Sequence, residues 1–277
     1  MRHHHVAVGV DGSPTSVRAL DRAAREAERR GTALRVVYAV PDRDEAPPVL
    51  AFAAARVRRR HPRLDVETDA AEGGAVRALE RASGAALLTV VGTRGLGPVA
   101  GLLLGSVTSR LAVRTLGPLL VVRGEPRRGR PAGDTGAVLV GLEDDTGAAV
   151  AACAFEEAER RDVPLTVLHV GEHRHAVPEP RTLVPGGRTG GREALRGRAE
   201  ESAVRRGTAR LRALYPRVDV ESRTAAGRAA PALLAAAREA ALVVVGVPRD
   251  GRLPRSGTLA HALLHRAPCP VLIVPGR

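Results

Sequence analysis

Ala86-Leu-Leu-Thr-Val-Val91 runs without a break into Gly92-Thr-Arg-Gly95, and nine residues intervene before Gly105-Ser106. A short apolar run rich in β-branched residues and bounded by glycine reads as a buried strand. The glycines after it carry no Cβ, so the backbone there can approach a ligand closely and adopt φ > 0. If Gly105-Ser106 opens a helix, its unpaired N–H groups, a hydroxyl and the positive end of the helix dipole face that loop. Strand, glycine-spaced loop and helix start together form a cradle for phosphate, and they point to an α/β fold with a nucleotide pocket.

Outward from this stretch the chain repeats itself. Ala85-Ala-Leu-Leu-Thr-Val-Val-Gly92 matches Glu239-Ala-Ala-Leu-Val-Val-Val-Gly246, and Val6-Ala-Val-Gly-Val10-Asp11 matches Ala137-Val-Leu-Val-Gly-Leu142-Glu143. A helical pattern follows each of the latter, over 13–30 and 146–161, and then a strand at 33–40 and 164–170. Arg63-Leu-Asp-Val-Glu-Thr68 pairs with Arg217-Val-Asp-Val-Glu-Ser222, and each half closes on a proline-led apolar strand, 118–122 and 270–274. A polar Gly/Pro-rich stretch separates the halves, which sets domains at 1–124 and 136–277 with a linker at 125–135. Strands alternating with helices imply two tandem, doubly wound parallel five-stranded sheets. Right-handed crossovers favour the order 3-2-1-4-5 with helices on both faces, and the repeat relates the halves by a pseudo-two-fold. The last strand of each half is an exposed apolar edge, so strands 118–122 and 270–274 are expected to pair within the chain, with a homodimer as the other way to cover them.

Composition excludes more than it selects. No run approaches the ~20 apolar residues needed to span a bilayer, and Asp11 interrupts the first apolar stretch, so a cytoplasmic protein without a membrane partner is expected. There is no lysine: all 43 basic residues are arginine, which removes Walker-type phosphate loops and Schiff-base chemistry. The net charge of +13 suggests nucleic acid, but Phe 2, Tyr 2 and Trp 0 leave almost nothing to stack on bases, and no such partner is expected. Cys153 and Cys269 read as small buried hydrophobes rather than a disulfide or metal pair. The three adjacent histidines at 3–5, beside a strand, cannot all point at one ion, and no carboxylate or cysteine near His169, His173 and His175 completes a ligand set at convincing spacing.

These residues resemble the universal stress proteins in their tandem two-domain form. The match rests on Val8-Gly9-Val10-Asp11-Gly12-Ser13, on Gly92-x2-Gly95-x9-Gly105-Ser106, and on Ala267-Pro-Cys-Pro-Val-Leu-Ile-Val274. The resemblance implies an ATP-binding stress-response or signalling module, with or without Mg2+. It would place Asp11 on the adenine or ribose side, with Gly12 and Ser13 beside it in the nucleotide site and backbone near Val40 lining the base. Gly92 and Gly95 would approach ribose and phosphates, Arg94 would contact phosphate or stand in solvent, and Gly105, Ser106, Val107 and Thr108 would hold phosphates. The second half departs from the pattern: Glu143 replaces the aspartate and Arg249 stands where the family has glycine. From Gly246 to Gly257 is eleven positions, against thirteen from Gly92 to Gly105. That half is expected to bind nucleotide weakly or not at all.

No catalytic set is legible. Phosphoryl transfer needs a metal-holding carboxylate, a cationic clamp and a group that orients water, and only Asp11 and Arg94 are candidates. At most slow ATP hydrolysis or self-phosphorylation is expected. A nucleotide-transferring enzyme lacks its His-x-Gly-His-type motif, and a scaffold that binds no nucleotide stands as the other reading.

Overall fold

The computed structural model describes residues 5–93, 106–123, 136–141, 147–171, 209–247 and 259–276. Among the described residues of the first half, four α-helices alternate with five strands. The strands are β1 (His5–Val10), β2 (Ala33–Val40), β3 (Val66–Glu72), β4 (Leu88–Gly92) and β5 (Leu119–Val122). The helices are α1 (Pro14–Arg30), α2 (Pro47–Arg60), α3 (Ala75–Ser83) and α4 (Ser106–Leu111). The second half repeats the plan with β6 (Val138–Gly141), β7 (Leu165–Gly171), β8 (Val220–Ala226), β9 (Leu242–Val247) and β10 (Val271–Pro275). Its helices are α5 (Gly147–Arg161), α6 (209–214), α7 (Ala229–Ala236) and α8 (Leu259–Arg266).

All ten strands form one sheet in the order β3-β2-β1-β4-β5-β10-β9-β6-β7-β8. Within each half every pairing is parallel, which gives 3-2-1-4-5 and its mirror in the strand order. At the centre β10 runs antiparallel to β5, with Val271 opposite Val121, Leu120 opposite Leu272 and Leu119 opposite Ile273. All six of these residues are buried, so the ladder forms between two apolar strands that would otherwise be open edges. The free edges, β3 and β8, carry Glu67, Asp69, Glu72, Glu221 and Arg223, which suits strands that must not recruit a neighbour. β3 starts three residues later than the Arg63–Thr68 repeat suggests and runs on to Glu72, because only one of its faces is sheltered and its apolar signal is weak.

Side chains alternate across the strands and build a core on each face. Val6, Val8, Val36, Leu120 and Leu272 pack beneath α1, α2 and α5. Val37, Val91, Leu119, Val121 and Ile273 pack beneath α3, α4, α7 and α8. With so few aromatics these cores are mostly Val, Leu and Ala; Phe155 lies in one of them with its ring centroid 5.7 Å from that of Tyr215, and Tyr38 packs on the same core. Burial, with Glu157 and Glu156 nearby, pushes the Cys153 thiol up to about 12, so it carries no thiolate at neutral pH.

Where α1 meets α5 the contact is ionic rather than apolar. Glu26 and Arg30 stand near the end of α1, and Glu157 and Arg161 hold the same i, i+4 places near the end of α5. Each arginine bonds its own glutamate and reaches across to the other: Arg30 to Glu157, and Arg161 to Glu26 at 2.6 Å. Arg22 adds a contact to Glu26 at 3.0 Å and Arg160 one to Glu157 at 3.0 Å. The glutamate side chains are 0% and 2% exposed. Burial alone pushes the Glu26 carboxyl up, but Arg161, Arg22 and Arg30 outweigh it and hold the group down at about 2.

Candidate functional site

β1 lies between β2 and β4, so the winding reverses around it and the crevice opens at the carboxyl ends of these three strands. Asp11, Val40 and Gly92 stand at those three ends. Three of the elements named from sequence therefore converge where an open α/β sheet offers its binding crevice.

The turn from β1 into α1 is held locally. Gly12 takes φ +78, which a side chain would resist. Ser13 is the helix N-cap: its Oγ accepts from the Ser16 N–H at 3.2 Å, and Pro14 follows at the first helical position. Asp11 is turned back on this cap. Its Oδ1 accepts from the Ser13 N–H at 3.0 Å and from the Ser13 hydroxyl at 2.6 Å. Ser13→Ala should therefore lose about 1 kcal/mol of unfolding free energy. Urea titration would measure it, and an unchanged midpoint would contradict the capping role.

At the other wall the end of β4 is pressed against the first turn of α1. A Cβ at Gly92 would lie 3.0 Å from the Thr15 carbonyl oxygen and 3.1 Å from its carbon. The buried Thr108 hydroxyl donates to the Gly92 carbonyl at 2.8 Å, tying the start of α4 to the same strand end. Thr93 N–H donates to the Val122 carbonyl at 3.0 Å and continues the β4–β5 ladder by one residue. The Thr108 hydroxyl hydrogen is thus already engaged, so toward a ligand its oxygen can act only as an acceptor. α4 begins at Ser106. Arg94, Gly95 and Gly105 lie outside the described residues, as do Glu143, Arg249, Gly257, His173 and His175.

Val40 is buried, and its carbonyl accepts from the Gly73 N–H at 3.1 Å, which sets the β3–α3 turn beside the end of β2. Val107 borders a groove of about 520 Å³ shared with Gly74, Arg77, Arg110 and Arg114. Arg114 is paired with Glu80 at 2.9 Å. Arg77 and Arg110 were not singled out from sequence; the placement of Arg110 one turn beyond Ser106 was the available signal, since it puts a guanidinium on the helix that follows the loop. Among the described residues no three His, Cys, Asp or Glu side chains are grouped to hold a metal ion, and no helix is long and apolar enough to cross a membrane.

A sequence model described as the universal stress protein family matches residues 2–123 and again residues 135–275. A universal stress protein of Mycobacterium tuberculosis is 33% identical over 303 residues, covering 97% of this chain and 94% of the relative. One from Mycolicibacterium smegmatis is 29% identical over 301 residues, covering 98% and 97%. Among solved structures, a universal stress protein from Archaeoglobus fulgidus superposes with a TM-score of 0.71 at 17% identity, covering 99% of each chain. That likeness concerns the fold.

Proposed function

Because the chain belongs to the universal stress protein family, we propose that its first half is an ATP-binding module of a cytoplasmic stress-response or signalling protein. The observation that carries this reading is the convergence at Gly92: strand end, first turn of α1 and start of α4 meet there with no room for a side chain. A backbone wall of this kind lets a nucleotide lie against main-chain N–H groups, and the switch-point crevice is where such folds bind ligands. In this reading Asp11, Gly12, Ser13 and Val40 border the base and ribose. Gly92, Arg94, Gly95, Gly105, Ser106, Val107 and Thr108 receive the phosphates, with or without Mg2+. The module holds nucleotide rather than turning it over, with slow hydrolysis or self-phosphorylation as the upper limit. The halves, 1–124 and 136–277 about a linker at 125–135, act as an internal pair in place of two separate chains, and a homodimer of such pairs remains open to sizing.

Equilibrium dialysis with labelled ATP should find one site per chain, assigned to the first half. Two equal sites would contradict the assignment, and Ser106→Ala should weaken binding at the single site. One observation favours a second reading, a scaffold without nucleotide: Oδ1 of the Asp11 carboxylate is turned onto its own helix cap. Absence of saturable ATP binding by the folded chain would select that scaffold.

A further inference from the structure

The two halves are joined at a third place besides the β5–β10 ladder and the α1–α5 ion network. Arg123, the residue after β5, extends its Nη1 to the Leu264 carbonyl oxygen in the last turn of α8, at 2.9 Å. Helix ends leave such carbonyls without an intrahelical partner. Leu263 gives its carbonyl to the Ala267 N–H, so for Leu264 the cap comes from the other half of the chain. His265 follows immediately, and His261 sits one turn earlier with its ring centroid 4.2 Å from that of His265. Both histidines are half-buried.

We propose that this junction is a pH-operated clasp between the halves: Arg123 holds the end of α8 while His265 is neutral, and protonation of His265 loosens it. A protonated histidine near a helix C-terminus is ordinarily favoured by the dipole. Here the carbonyl it would serve is already capped by a guanidinium, so a second cation meets repulsion instead. Partial burial, then His261, then Arg123 push the His265 imidazole below its ordinary value. Among the described residues those two groups are the ones acting on it, and the elements packed against α8, which are α7 (Ala229–Ala236), β9 and β10, carry no charged or titratable side chain.

At pH above the ordinary histidine value the ring is neutral whether the clasp is open or closed. As pH falls, the open form, with a solvated ring, takes the proton first, so the closed form loses ground. The clasp adjoins the rim of the first-half crevice, since Val122 lies opposite Gly92, but it does not depend on what that crevice binds. A transition-metal site at the same histidine pair is the competing idea. Among the described residues no third ligand joins the pair, and Arg123 opposes a cation there.

The test uses the full chain. Amide hydrogen exchange of 119–122 and 263–267, corrected for intrinsic rates, should rise about five-fold or more from about pH 7.5 to 5.5. His265→Gln should abolish that rise, and His261→Gln should shrink it without abolishing it, since burial and Arg123 still act on His265. NMR titration adds a readout that mere packing would not move: Arg123→Gln should raise the His265 pKa. A flat wild-type profile, an unchanged profile in His265→Gln, or a His265 titration indifferent to Arg123 would overturn the proposal. So would a rise produced by zinc at constant pH and lost in His261→Gln, since that would make the pair a metal site.

Discussion

Glu26→Leu should lower the unfolding free energy by about 3–5 kcal/mol, the range for stranding one side of a buried ion network. The reason lies in the imbalance of charge where α1 meets α5. Two buried carboxylates, Glu26 and Glu157, serve Arg22, Arg29, Arg30, Arg160 and Arg161. Losing Glu26 removes the carboxylate that Arg22 contacts and leaves Arg30 and Arg161, like Arg22 nearly sealed from water, sharing Glu157 with Arg160. Such a loss would exhaust much of an ordinary domain's ~5–15 kcal/mol. Replacing both glutamates by Leu and Arg22, Arg30 and Arg161 by Met should restore most of it, because desolvation offsets much of what buried pairs gain. Urea unfolding of both variants decides the matter; a deficit of the same size in the fully apolar variant would show that packing, not stranded charge, was lost.

The same network predicts acid sensitivity. Glu26 is depressed from 4.5 to about 2, so its contribution is present above the ordinary carboxyl value. It is lost as pH falls between about 4.5 and 2, where the unfolded chain takes up the proton first. Unfolding free energy should drop more steeply across that window in the wild type than in Glu26→Leu. Parallel slopes would refute the assignment.

Gly92→Val should remove ATP binding and cost about 1–3 kcal/mol of stability, the usual penalty for forcing atoms into a filled site. The contact is with the Thr15 main chain at 3.0 Å, which cannot swing away as a side-chain end can. Gly141 gives the comparison. A Cβ there would meet Leu233 Cδ1 at 2.5 Å, and the leucine has other rotamers, so Gly141→Ala should cost less despite the shorter distance. Isothermal titration with ATP alongside thermal unfolding separates the two effects at Gly92. Undiminished affinity in a destabilised Gly92→Val would remove Gly92 from the binding surface and, with it, the main support for the nucleotide reading.

Much of the architecture is legible because parallel strands covered on both faces are continuous apolar runs, as in Leu88–Val91 and Leu242–Val245. The repeat doubles each signal, and the glycine at the end of β4 marks the crevice before any coordinates are known. The edge strands β3 and β8 are the least legible, because one open side leaves charged residues where the pattern would otherwise be apolar. In the site, the residue types and their convergence at three strand ends follow from sequence order. The closed Asp11–Ser13 cap and the Thr108 bond to Gly92 do not, since they depend on which way a side chain turns.

A repeated βα unit, its winding order and a glycine-spaced segment after the fourth strand are readable from residue order alone, because they are properties of neighbouring residues and of chain connectivity. That Glu26, Arg30, Glu157 and Arg161 exchange partners between α1 and α5, and that Arg123 caps a helix of the other half, emerges once the two halves are folded together. In sequence an arginine four residues after a glutamate reads as a solvated helix face. Burial is what turns such a pair into a structural commitment, and burial is set by how two distant helices meet.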